Sequence, residues 1–255
     1  MRRTLPIILP LLTFAIACCA IEFVVARGYV ADYILPPPSQ VWAALREPET
    51  DLWQGLWRTF SAALAGFAIA GVLGVAIAVL LASGRWARQA FYPYAVFFQT
   101  VPIIAIAPML VIWTSTQFQT VSAAAAIASV FPVIASTYAG LTSADPALVD
   151  LFRLYGGGPV RRMTALRLPW ALPNLFVGLQ VAAGLAVIGA IVGEFVGGGG
   201  LGSVIETAKP QLRNDKIFAA VLLASLMGLT LFLAVRCVAW LTLRRWHASA
   251  RSQPG

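Results

Sequence analysis

Long apolar runs alternate with short polar breaks along this chain. The runs are Met1–Ala26, Thr59–Ala82, Phe91–Trp113, Thr120–Leu141, Leu175–Val196 and Ile217–Leu243. Each is long enough to cross a hydrocarbon core, which takes about 20 residues in a helix. The pattern therefore predicts an all-α polytopic membrane protein with six transmembrane helices. The first run opens with Arg2 and Arg3 and has the length of a secretory signal peptide, with Cys18 or Ala20 near a cleavage site. Its apolar stretch continues past Phe23 and Val25 to spanning length, so it is read as an uncleaved first helix. Tyr29 to Leu56 is mixed and polar and contains ILPPPSQVW. It predicts an extracytoplasmic loop with one short interfacial helix starting at Ser39, which would cap it.

Within the runs, Pro102, Pro108 and Pro132 are expected to kink their spans, because proline removes a helix hydrogen bond and its ring crowds the preceding turn. Gly66, Ala70 and Gly74 in the second span, and Gly178, Ala182, Ala186 and Ala190 in the fifth, put small residues on one face. Such faces let helices approach closely in lipid, so both helices are expected in the bundle interior.

Composition sharpens this picture. The chain has 255 residues, 60% of them hydrophobic and only 11% charged, with a mean hydropathy of +0.82; soluble domains carry about a quarter charged residues. The net charge of +8 raises nucleic acid as a partner, but no basic stripe with interleaved aromatics accompanies it, and nucleic acid is excluded. The arginines instead sort by side. Arg2, Arg3, Arg85, Arg88, Arg153, Arg161, Arg162, Arg167, Arg244, Arg245 and Arg251 share one side if the spans alternate, while the opposite loops carry most of the acids with Lys209, Arg213 and Lys216. By the positive-inside rule both termini are cytoplasmic.

Several chemistries are absent. Cys18, Cys19 and Cys237 lie in apolar runs as small filler, without metal or disulfide spacing. The one histidine, His247, sits in an arginine-rich tail, so His-based triads and zinc sites are unavailable; no metal or cofactor is expected. Gly197 to Gly202 formally satisfies G-x-G-x-x-G, but a membrane helix precedes it, and it reads as a flexible turn. Gly156-Gly157-Gly158 lacks the Gly-Lys-Ser/Thr of a P-loop, so it is not a nucleotide-phosphate site. Among polar residues inside spans, Glu194 must face the bundle interior, be protonated or reach the interface. It reads either as a pore-lining or gate residue or as a hydrated, paired acid. Gln99 and Gln180 are the buried amides, suited to interhelical hydrogen bonds or to the path.

The most informative polar break is Ser143–Pro173. Asp145 predicts an N-cap, Pro146 a first helical position, and Leu148, Leu151, Phe152 and Tyr155 fall at helical spacing. Gly156 is expected to close that helix in the left-handed region, and Pro159 to open another. Gly157→Ala, in the middle of the turn, is expected to be milder than Gly156→Val. Asp150, Gly156, nine residues, then Leu166, Leu168 and Pro169 matches the spacing of the EAA loop, E-A-A-x3-G-x9-I-x-L-P, with Pro173 and Gly178 further downstream. On these residues the chain resembles the permeases of bacterial ABC importers from about Leu35 to Arg244, in the branch similar to nitrate, sulfonate and taurine permeases. Asp150 stands for the family's Glu, and Leu151 and Phe152 for its alanines, which bears on the shape of the partner's pocket.

That resemblance implies a cytoplasmic coupling loop between helices four and five, formed by Asp150, Leu151, Phe152, Tyr155, Gly156, Gly157, Gly158, Leu168 and Pro169. It implies cytoplasmic ABC ATPase subunits, an extracytoplasmic solute-binding protein and a second permease copy as partners, in the bacterial inner membrane. Residues 1–56 would form the first helix and external loop, 57–245 the transmembrane domain and 246–255 a cytoplasmic tail. FYPYAVFFQTVPIIAIAP and DLFRLYGGG look similar to relatives assigned to thiamine-pyrimidine precursors or riboflavin. The alternative is a secondary transporter, or another polytopic protein without an ATPase; it would call for an inverted repeat and coupling acids near the midplane. An intramembrane enzyme would need clustered His, Asp or Glu.

Overall fold

In the computed structural model, residues 5–47 and 51–244 are described; Arg2, Arg3, Glu49, Arg245, His247 and Arg251 lie outside them. Among the described residues all regular structure is helical: α1 (Leu5–Ala26), α2 (Pro38–Arg46), α3 (Leu52–Ala82), α4 (Arg85–Thr100), α5 (Ile103–Trp113), α6 (Gln117–Thr142), α7 (Pro146–Leu154), α8 (Pro159–Arg162), a π-helical turn (Met163–Arg167), α9 (Leu168–Gly197), α10 (Gly200–Ala208) and α11 (Asn214–Leu243). Five helical segments are long and apolar enough to cross a membrane, or six if α4 and α5 together make one span.

The third apolar run departs from the single kinked span expected of it. The axes of α4 and α5 meet at 100°. Val101 precedes a proline, whose ring disfavours helical backbone at the residue before it; Val101 has ψ 121° and Pro102 itself ψ 118°. Two consecutive extended residues end one helix and start another rather than bend one. By contrast α5 runs on through Pro108 and α6 through Pro132. The interfacial helix also differs in detail. It begins at Pro38, and Ser39 is inside it, not its cap. Three successive prolines preset the entry, while the Ser39 hydroxyl and amide both donate to the Glu22 carboxylate of α1, at 2.6 and 3.2 Å.

Two compact units divide the chain: Met1–Arg58 with Gly199–Ser225, and Thr59–Gly198 with Leu226–Gly255. In the first, Leu52 and Leu201 are fully buried. The Trp53 indole donates to the Leu45 carbonyl at 3.2 Å. A Cβ on Gly55 would stand 3.1 Å from the Gly200 carbonyl carbon, so the start of α3 touches backbone at the start of α10.

In the second unit α6 is the central helix. A Cβ on Gly66 or Gly74 of α3 would fall 2.4 Å from Ala125 Cβ or 2.7 Å from Val133 of α6; on Gly178, Gly189 or Gly193 of α9 it would fall within 2.7–2.9 Å of α6 atoms. Ala70, Ala182, Ala186 and Ala190 are fully buried. The small-residue faces therefore bring α3 and α9 against α6 at backbone range, as close packing in lipid requires. Val72, Val177, Val181 and Ile188 point outward, a distribution costly in water and neutral against acyl chains.

Candidate functional site

The segment joining α6 to α9 is built from local rules. The Asp145 carboxylate accepts from the Ala147 amide at 2.8 Å, satisfying one free donor of the first turn of α7, and Pro146 occupies a position where a missing N–H costs nothing. At the other end, the Gly156 amide donates to the Arg153 carbonyl at 3.0 Å and the Gly157 amide to the Phe152 carbonyl at 2.8 Å. With Gly156 at φ +70°, this pairing is a Schellman motif, the standard closure of a helix by a left-handed glycine. Pro159 then opens α8.

The three glycines differ in what they permit. Gly156 has the left-handed backbone but open space around its missing Cβ. Gly157 has an ordinary φ, yet its Cβ would lie 2.6 Å from the Phe152 oxygen. Gly158 has φ −61° and open space. The expectation that Gly157→Ala is a mild change is not met: the carbonyl that accepts the Gly157 N–H leaves no room for a methyl group.

After α8, the Leu168 amide pairs with the Met163 carbonyl five residues back. This π turn directly precedes Pro169, which lacks an N–H and would crowd the carbonyl of Ala165 in a regular helix. Leu168 packs on the cluster of Ala78, Ala82, Leu141 and Ala171. Leu168 therefore anchors the segment, and the outward surface is elsewhere: Leu151 is exposed, and Leu154 and Tyr155 are 84% and 82% exposed, with Phe152 half-buried. Asp150 pairs with Arg153 at 3.0 Å on the surface, an interaction of small energetic weight. Leu154 and Val160, both exposed, were not marked by the loop motif. Their signal is the apolar Leu151/Leu154 pair at i,i+3 and a valine immediately after a helix-opening proline.

Glu194 is 2% exposed within α9, so of the two sequence readings the interior one describes its position in the chain. Gln180 is half-buried, but Gln99 lies exposed on α4 and is not a buried amide. The break at Val101–Pro102 ends α4 just beyond it, removing the continuous buried span in which it was expected. Glu194 and Gln180 are 14 positions apart on one helix, about 21 Å along its axis, so they do not share a site within this chain.

Sequence reasoning missed a charged cluster in the first unit. Arg213 bonds Glu47 at 2.7 Å and Asp215 at 2.8 Å, and the Asn214 amide donates to the Tyr33 carbonyl. The Arg213 hydrogen bond holds the Glu47 carboxyl below its ordinary range; hydrogen bonds to Asp215 and Glu47 raise the guanidinium pKa. For a carboxyl depressed by folding, the stabilising contribution is present above its unfolded pKa and is lost as pH falls through the folded one. Exchange protection of residues 209–217, corrected for intrinsic rates, is therefore expected to hold from neutral to mildly acidic pH and fall only in stronger acid. In Glu47→Gln it should already be reduced at neutral pH; equal protection in both proteins would show that the link does not order this segment.

Comparison with known proteins agrees with this architecture. Residues 70–246 match the family described as binding-protein-dependent transport system inner membrane component. The formylaminopyrimidine transport permease protein ThiX of Halalkalibacterium halodurans is 32% identical over 238 residues, 92% of this chain and 95% of that protein. The riboflavin transport system permease protein RibX of Chloroflexus aurantiacus is 34% identical over 231 residues, 89% of this chain and 85% of that protein. An inward-facing structure of the MetNI methionine ABC transporter superposes with a TM-score of 0.62 at 20% identity, over 75% of this chain and 99% of that one, a likeness of fold. The chain belongs to the binding-protein-dependent transport system inner membrane component family. It is a membrane-spanning ABC transporter permease, a transport subunit whose family implies an ATPase and a binding protein as partners.

Proposed function

We propose that this permease forms half of an importer's translocation path and receives the ATPase stroke through α7 and α8. The observation that carries the reading is the closed α7 turn, which presents Leu151, Leu154 and Tyr155 outward beside Asp150 and Gly156, which keep EAA-like spacing to Leu168 and Pro169. ATP hydrolysis belongs to the separate subunit. A second copy of the chain is the other half, and its contact is placed on α4 and α5, where Phe97, Phe98, Ile104 and Trp113 are exposed. Glu194 and Gln180 are assigned to the path or its gate, and Gln99 to the surface between copies. Residues 57–245 are read as the working transmembrane domain with 1–56 and 246–255 appended to it; α3 itself starts earlier, at Leu52, and 246–255 lie outside the described residues. Co-expression with the ATPase encoded nearest to this gene tests the reading: the two are expected to co-purify, with ATP hydrolysis stimulated by the permease. No association under conditions where the permease is folded would overturn it.

The relatives named for a formylaminopyrimidine and for riboflavin favour a nitrogen heteroaromatic solute delivered by the binding protein. Orientation follows from the arginine distribution: both termini, α7 and α8 face the cytoplasm of a bacterial inner membrane. In a variant lacking native cysteines, an impermeant thiol reagent added outside intact cells is expected to label Lys209→Cys and spare Arg161→Cys. The reverse pattern would invert the topology.

A further inference from the structure

A pocket of about 560 Å³ opens where α3 ends and α9 begins. Val79 and Ala82 of α3 and Leu168 of α9 contribute apolar wall; Arg153, Arg162 and Arg167 contribute guanidinium groups, and no carboxylate is among the lining residues. The cations are only partly engaged. Arg167 donates to the Ala82 carbonyl at 3.1 Å, and the Asp150 partner of Arg153 lies outside the lining. Arg162 Nε is buried with no hydrogen-bond partner, so a ligand in the pocket meets Arg162 through its terminal nitrogens. A guanidinium offers five N–H groups in a planar fork suited to a phosphate oxyanion.

We propose that this pocket binds the phosphate headgroup of an anionic phospholipid. The chemistry required is a phosphate whose attached body is apolar, because the three arginines line one pocket with aliphatic side chains from the end of α3 and the start of α9, both membrane-crossing helices. Basic pockets between helices at the cytoplasmic face suit such headgroups. A soluble phosphate would satisfy the arginines and leave the aliphatic wall uncovered. Docked ATPase is the other candidate cover: Pro159 and Val160 of α8 are in the lining, whereas Leu154 and Tyr155, the most exposed apolar residues of the segment, are not. The leaflet assignment rests on the orientation proposed above; the pocket's ligand does not.

The test is native mass spectrometry of the purified full-length permease equilibrated with phosphatidylglycerol and phosphatidylcholine. Wild type is expected to retain phosphatidylglycerol preferentially, Arg162→Gln to lose that preference by about fivefold, the scale of one basic residue at an anionic surface, and Arg162→Lys to keep most of it. Equal retention by wild type and Arg162→Gln would overturn the proposal, as would displacement of phosphatidylglycerol by excess inorganic phosphate. If Arg162→Gln instead loses ATPase co-purification with lipid retention unchanged, the pocket belongs to the protein partner. External labelling of Arg161→Cys alongside preserved lipid selectivity would move the site to the outer leaflet, separating failure of the topology from failure of the ligand.

Discussion

Gly157→Ala is expected to insert in the membrane at normal abundance and yet lose most ATPase association and stimulation. The added Cβ would sit 2.6 Å from the Phe152 carbonyl oxygen, and that same oxygen accepts the Gly157 N–H at 2.8 Å. The oxygen is backbone and the Cβ position is fixed by the backbone, so no side-chain rotation relieves the contact. Either the closing hydrogen bond breaks or the last turn of α7 opens, and both displace Leu154 and Tyr155 from the surface they present. Gly156→Val acts by another route: space is open, but φ +70° costs a residue with a Cβ about 1–2 kcal/mol, more for a β-branched one. Gly156→Asn should be milder than valine, since asparagine enters this region more readily. Gly158→Ala, with negative φ and open space, should be near neutral. Co-purified ATPase per permease and stimulated hydrolysis order the four variants. Full stimulation by Gly157→Ala at wild-type abundance would show that the segment is a slack linker.

The features legible in the sequence are those whose causes are local. Asp145 before a proline, an apolar face of helical spacing, and a glycine where it stops are enough to place α7, because cap, entry and closure involve neighbours in the chain. The small-residue faces of α3 and α9 were legible for the same reason, although that both meet α6 is a tertiary fact. The steric limit at Gly157 depends on where the Phe152 carbonyl points once the helix has closed, which composition does not carry. Ser39 reads as a cap until the Glu22 carboxylate, 17 positions back, engages its hydroxyl. Pro102, Pro108 and Pro132 give the same signal in the sequence, yet only at Val101–Pro102 are two consecutive residues extended, while α5 and α6 run on through the other two. GGGG reads as slack. In the structure Gly198, Gly199 and Gly200 all have positive φ, 76°, 79° and 67°, and Gly200 starts α10. The run meets a conformational requirement that only glycine satisfies without strain.

The largest effect on the membrane bundle itself is expected at Gly66. Replacing it by alanine would place a Cβ 2.4 Å from Ala125 Cβ, 2.6 Å from the Ser122 oxygen and 2.9 Å from the Ala126 nitrogen. Two of these are backbone atoms of α6, so α3 and α6 must separate, and α6 is also held at backbone range by α9. Overpacking of this kind costs about 1–3 kcal/mol and more where the neighbours cannot yield, which outweighs the roughly 1 kcal/mol of helix propensity that alanine gains over glycine. Gly71, five residues further along α3, supplies the matched control. Its Cβ would meet only a Leu179 methyl at 3.6 Å, an ordinary contact, so Gly71→Ala keeps the propensity gain without the clash. Thermal unfolding of the detergent-purified permease should therefore shift down in Gly66→Ala and stay level or rise in Gly71→Ala. Ala125→Gly combined with Gly66→Ala removes the shortest contact but leaves the Ser122 oxygen, so it should restore part of the loss. Equal stability of the two single variants would mean that α3 and α6 do not pack at this distance in the membrane.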